Sequence, residues 1–306
     1  MDTHTARPRI ASMERSRHDH DRSRRLPLLA VARQIRRWSL PIIAALAVAA
    51  PAVLPGRSDA AVRAPAQPRP TIVLIHGAWA DASSWSGVVR RLQRDGYTVD
   101  APPNQLRSLT GDAAYVSSFL ATITGPIVLV GHSYGGSVIT NAATGNANVK
   151  ALVYVDAFIP DQGEQTLKLA GAQPGSCLGG DPAKVYNAVQ YPGAPKGDVD
   201  LYIKPAVFLS CFANGVAPQE AAVLAATQRP LTFSAAMTPS GVPAWKTIPS
   251  WSLIGTADKI IPPAEQRIMS QRAQAHITEI DAGHLSLVSH PGAVTAVIEQ
   301  AVHTTT

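Results

Sequence analysis

Short apolar runs recur along the chain, most of them followed by a stretch of helical character: "TIVLIHG" at 71–77, Ile127–Val130, "VKALVYVD" at 149–156 and "SWSLIGTAD" at 250–258. A strand that is apolar at nearly every position has no face to offer to water and must be covered on both sides. That is the situation of a parallel sheet with helices on each face. The repeated strand–helix order therefore predicts an α/β fold built on a doubly wound, mostly parallel sheet. Two weaker strands, Tyr97–Asp100 and "HITEI" at 276–280, bring the expected number to about six. Asp81 can cap a helix that runs through Trp85, Val88, Val89 and Leu92 and closes at Gly96. Further helices are expected over Asp112–Thr122, after Ser133, near Pro263–Gln274 and from Pro291. Between Phe158 and Ser240 the alternation fails and glycines and prolines crowd together. This stretch reads as a helical cap inserted at about 159–240, its clearest piece being Pro218–Thr227.

The 306 residues carry a net charge of +6, but that charge is unevenly placed. Residues 1–40 hold ten arginines against four acids, whereas from Ala61 onward 16 basic residues face 16 acidic ones. The remainder is thus neutral and lacks the basic footprint of a nucleic-acid binder. The N-terminal segment has the order of an export signal: Arg36-Arg37, the apolar run Leu40–Leu54, then Ser58-Asp59-Ala60 with small residues suited to cleavage after Ala60. Residues 1–60 are expected to be a leader and "AVRAPAQPRP", 61–70, a proline-rich linker to a domain over 71–306. On this reading the protein is exported and has no stable membrane partner. The apolar run is short for a bilayer span and broken by prolines, which leaves tethering by an uncleaved leader as the alternative. Cys177 and Cys211 are the two cysteines, and either one disulfide or two buried thiols fits the pattern.

The run Ile127–Val130 passes straight into Gly131-His132-Ser133-Tyr134-Gly135-Gly136. A serine on a sharp strand-to-helix turn needs neighbours without a Cβ at the positions two before and two after it, and Gly131 and Gly135 stand there. Ser133 is therefore the expected nucleophile. Asp258 follows one strand and His284 the next, so the chain order is nucleophile, acid, base. An imidazole accepts the serine proton near neutral pH, and a carboxylate holds the imidazole in the right tautomer. The backbone amides of Tyr134 and Ala78 are the expected oxyanion donors. Asp156 also ends a strand and is the rival for the acid. His132 and His76 are expected to pack near the turn, and His290 to enter the last helix. Trp79, Phe158, Trp245 and Leu285 are expected to line the substrate pocket. No Cys/His cluster has metal spacing and no glycine-rich phosphate loop occurs, so neither metal nor cofactor is expected.

The segments "LIHGAWADASSW", "GHSYGG", "GTADKIIP" and "AGHL" resemble the α/β-hydrolase superfamily, and within it the small cap-bearing group of methyl-esterases and hydroxynitrile lyases. The likeness spans about Thr71 to Ala301. It implies a six-stranded sheet, a cap over the pocket, and cofactor-free action on esters and related acyl or cyanohydrin substrates. Where related hydroxynitrile lyases carry a threonine and a lysine, this chain has Gly77 and Leu285, which argues against cyanide chemistry. Ser133 argues against the dehalogenases and epoxide hydrolases, which use aspartate there. The expected activity is serine-dependent hydrolysis of small, largely apolar carboxylic esters through a covalent acyl-enzyme, with a small-molecule ester as partner. A cofactor-free haloperoxidase or perhydrolase-like activity, and a non-catalytic ligand-binding role, are the alternatives.

Overall fold

The computed structural model describes residues 69–305; the expected leader over 1–60 and linker residues 61–68 lie outside the described residues. Six parallel strands form the central sheet: β1 (Thr71–Ile75), β2 (Val99–Asp100), β3 (Ile127–His132), β4 (Val149–Val155), β8 (Ser250–Gly255) and β9 (His276–Ile280). Their order is β2-β1-β3-β4-β8-β9. The register sets Ile75 beside Gly131, Gly131 beside Tyr154, and Tyr154 beside Ser252. β3 is buried at all six positions, as its apolar composition requires. β9 differs because it is the edge: it pairs only with β8 and leaves His276, Ile277 and Glu279 exposed.

From β1 the chain moves outward to β2, then returns to lay β3 on the other side of β1. With right-handed crossovers this reversal puts successive helices on opposite faces and opens a crevice at the carboxyl ends of β1 and β3. Asp81 caps a short 3-10 turn, accepting from the Ser83 amide at 2.7 Å, before α1 (Ser86–Arg94) begins. α2 (Leu109–Leu120) starts three residues earlier than expected, because Ser108 accepts from the Gly111 amide at 3.0 Å and caps it. α3 (Tyr134–Ala142) follows the serine turn directly.

Between β4 and β8 the expected cap is present, but it is not purely helical. It contains the helix Pro218–Thr227 together with a three-stranded antiparallel sheet of β5 (Tyr186–Val189), β6 (Asp200–Ile203) and β7 (Leu231–Thr232). A disulfide joins Cys177 to Cys211 across 34 residues, with the Cα atoms 6.5 Å apart. Both partners also meet the loop beside β8: the Cys177 amide donates to Lys259 O at 2.8 Å, and Cys211 Sγ lies 3.3 Å from the same oxygen. Elsewhere the cap is held by the Arg107–Asp200 ion pair at 2.6 Å and by Asn141, which bonds Ser240 and Gly241 at 3.0 and 2.7 Å. Among the described residues no helix is long and apolar enough to cross a membrane.

Candidate active site

Ser133 sits at the crevice with φ 52° and ψ −123°, left-handed backbone that a residue with a Cβ adopts only under strain. The turn is that tight because neighbouring chains almost touch. A Cβ on Gly131 would come within 2.6 Å of Gly135 O, and one on Gly135 within 2.4 Å of Ile75 O. The two glycines thus let the serine backbone reverse between β3 and β1. Gly77 is equally confined, since a Cβ there would lie 2.7 Å from Ser133 Cβ. The position that is threonine in related lyases therefore has no room for a side chain in this backbone.

Asp258 and His284 follow the ends of β8 and β9, and both side chains are buried. His284 Nδ1–H donates to Asp258 Oδ2 at 2.8 Å, which leaves Nε2 to accept from Ser133 Oγ at 2.9 Å. Every other contact of the Asp258 carboxylate is also with a donor: the amides of Ile260 and Ile261 at 2.7 and 3.0 Å on Oδ1, and Gln266 Nε2 at 2.7 Å on Oδ2. Burial pushes this carboxyl up, but a carboxylic proton would find no acceptor among these groups, so the ionised form matches its surroundings. Burial also lowers His284, which keeps the imidazole neutral and able to take a proton.

Asp156 is not the partner of His284. It accepts from the Gly255 amide at 2.8 Å on Oδ1, and from the amide and hydroxyl of Ser286 on Oδ2. It thereby ties together the two loops that carry Asp258 and His284. Burial and the nearby Asp258 charge push its carboxyl well above the ordinary range. His132 and His76 are structural in the manner expected: His132 Nε2–H donates to His284 O at 2.9 Å, and His76 Nε2 accepts from the Asn104 amide at 2.8 Å. Burial lowers both, so neither carries a charge beside Ser133 and His284.

Over Ser133 lies a narrow cavity of about 20 Å³, walled largely by apolar side chains. On this scale the space admits about one water. Ala78 and Tyr134 both line it. Tyr134 is the first residue of α3, so its amide has no carbonyl partner within the helix. Of the expected pocket residues, Trp79 and Phe158 are in the wall, whereas Trp245 and Leu285 are not. Trp245 instead donates to Pro160 O at 2.9 Å and lies against Lys246 and Arg272. Leu285 is buried in the core, and its carbonyl accepts from the amides of Val288 and Ser289 at 3.0 Å. The rest of the wall comes mostly from the cap, through Leu178, Tyr186, Leu201 and Leu231. Spacing alone carries no sign of these, nor of Gln266.

The sequence profile of the alpha/beta hydrolase family matches residues 72–297. A carbendazim-hydrolysing esterase of Nocardioides sp. (strain SG-4G) is 33% identical over 110 residues, which span 32% of this chain and 46% of that protein. Among solved structures, a polyneuridine aldehyde esterase superimposes with a TM-score of 0.64 at 16% identity, covering 76% of this chain and 99% of its own. A pyrethroid hydrolase from Sphingobium faniae JZ-2 gives 0.60 at 22% identity, covering 76% and 97%. At such identities these structures speak to the fold alone. The profile, by contrast, covers the sheet, the serine turn and the loops bearing Asp258 and His284, and the chain belongs to the alpha/beta hydrolase family.

Proposed function

We propose that this protein is a serine hydrolase that cleaves small, largely apolar carboxylic esters through a covalent acyl-enzyme. The observation that carries this reading is the hydrogen-bonded series Ser133–His284–Asp258 at the floor of an apolar cavity. In the first half-reaction Ser133 Oγ attacks the ester carbonyl while its proton passes to His284 Nε2. Asp258 stabilises the imidazolium and keeps Nδ1 protonated throughout. The amides of Ala78 and Tyr134 receive the oxyanion. His284 then gives its proton to the departing alkoxide, and the alcohol leaves. Water repeats the sequence on the acyl-serine, with His284 as base, and the acid is released. The wall favours apolar acyl or alcohol groups, because its polar side-chain atoms are few and nearly all occupied. The carbendazim-hydrolysing esterase among the similar proteins supports ester hydrolysis. We further infer that the protein acts after export. The signal-like leader motivates this, and the Cys177–Cys211 bridge suits an oxidising compartment.

The test is hydrolysis of p-nitrophenyl acetate by wild type and Ser133→Ala. The variant is expected to lose on the order of 10⁴-fold in kcat while keeping its fold. A fluorophosphonate should label the wild type at Ser133. Labelling elsewhere, or unchanged turnover in the variant, would overturn the assignment.

A further inference from the structure

Five side chains in the cavity wall carry a polar atom: Trp79, Ser133, Tyr134, Thr166 and Tyr186. Four of the five are already engaged. Trp79 Nε1–H donates to Leu201 O at 2.8 Å, and Ser133 Oγ bonds His284. The Tyr134 hydroxyl donates to Asp112 at 2.8 Å, and Thr166 Oγ1 shares a bond with Ser137 Oγ at 3.1 Å. Tyr186 is different. It is 8% exposed, and its buried Oη has no hydrogen-bond partner. An unpartnered buried hydroxyl is destabilising, and phenylalanine would fill the same space without that penalty.

The ring is nevertheless firmly placed. Tyr186 opens β5 and pairs with Ile203 of β6, while its ring stacks on Trp79 at 6.0 Å with an interplanar angle of 25°. Trp79 is in turn fixed by its bond to Leu201 and by an edge contact with Phe212 at 5.8 Å. A hydroxyl held in position, desolvated and unsatisfied is the arrangement expected of a group whose partner arrives with the ligand.

We propose that Tyr186 is a specificity determinant, donating its hydroxyl hydrogen to a second acceptor oxygen of the substrate. That oxygen is an ether or carbonyl outside the scissile ester. The inference rests on the esterase reading above and narrows it: the preferred esters are apolar apart from one additional oxygen. Burial pushes the Tyr186 phenol up, so it retains the proton that it donates across the working pH range. An apolar wall with a single free side-chain donor discriminates by chemistry as well as by size, since an all-carbon analogue leaves the hydroxyl unpaired.

The experiment uses esters in matched pairs, with one methylene of the acyl or alcohol chain replaced by an ether oxygen at successive positions. One such pair is p-nitrophenyl 3-methoxypropanoate and p-nitrophenyl pentanoate. For each pair the ratio of kcat/KM, oxygen-bearing over all-carbon, is measured for wild type and Tyr186→Phe. At one position the wild-type ratio is expected to exceed the variant's by about tenfold, the worth of one good hydrogen bond. Equal ratios in the two proteins at every position would overturn the proposal, provided turnover still depends on Ser133. A wild-type ratio no greater than one at every position would overturn it without recourse to the variant. Absence of Ser133-dependent turnover in wild type would overturn the esterase reading itself.

Discussion

Replacing Asp258 and Asp156 in turn by asparagine separates two buried carboxylates by what surrounds each one. At Asp258 all four contacts are donors, so an amide must direct its NH₂ at two of them. The Ile260 and Ile261 amides cannot reverse. The NH₂ therefore faces Gln266 and His284, and the imidazole yields by changing tautomer. Nδ1 then accepts, Nε2 carries the proton toward Ser133, and no base remains for the hydroxyl. A wrong tautomer in a triad of this kind costs about 10⁴ in kcat, close to 5.5 kcal/mol of transition-state stabilisation. At Asp156 the outcome differs, because one of its partners is a hydroxyl that can accept. Asparagine can keep its oxygen on Gly255 N, donate NH₂ to Ser286 Oγ, and give up only the longer bond from Ser286 N at 3.2 Å. Asp156 also has φ 44°, a conformation that asparagine tolerates. Its replacement should cost roughly 1–2 kcal/mol of stability, and activity should stay within about tenfold of wild type. Steady-state kinetics on p-nitrophenyl acetate, with thermal unfolding of each variant, measure both quantities. The reasoning fails if Asp258→Asn retains a tenth of wild-type kcat, or if Asp156→Asn falls as far as Asp258→Asn.

Because burial lowers His284, the neutral base persists on the acid side of its ordinary range. The acid limb of kcat/KM should fall with a midpoint below about 6.5, and a midpoint above that value contradicts the sign. Gly136→Ala would place a Cβ 2.3 Å from Phe158 O, so it should destabilise by on the order of 3 kcal/mol in denaturant unfolding. Gly179→Ala, with nothing within 4 Å of the added atom, should be close to neutral. Reducing the Cys177–Cys211 bridge should lower stability by about 3–4 kcal/mol for a loop of 34 residues. It should also raise kcat/KM for bulky esters relative to small ones, as read from an acyl-length series. An unchanged series would mean that the bridge does not restrain the cap.

The central sheet is legible in the sequence because β1, β3, β4 and β8 are buried on both faces and must be apolar almost throughout. The placement of Ser133 and Asp258 follows from the same fact, since each lies just past the end of such a strand, whereas His284 follows the exposed edge strand β9. The cap sheet is a different case. β5 is exposed at three of its four positions and β7 has two residues, so neither leaves an alternating pattern to read. Their pairing is set by turns such as those at Gly193 and Gly197, both at positive φ, and by contacts distant in sequence. Side-chain direction was equally hidden. Trp245 and Tyr186 are both aromatic residues between β4 and β8, yet Trp245 turns to Pro160 and Tyr186 joins the cavity wall. The links of Gln266 to Asp258 and of Asp156 to Ser286 likewise depend on rotamers that residue spacing does not encode.

On the proposed esterase reading, a cavity with room for about one water admits an ester only once the cap parts from the sheet, and binding would draw on that open population. Apparent affinity is then the intrinsic affinity scaled by the fraction of molecules that are open. Each additional 1.4 kcal/mol by which cap contacts such as Arg107–Asp200 and Asn141–Gly241 favour closure lowers that fraction about tenfold. On the same reading, closure would keep water from the acyl-serine until the cap parts again. Turnover and substrate range would thus be coupled to one equilibrium, which surface residues far from Ser133 could tune without touching the chemistry.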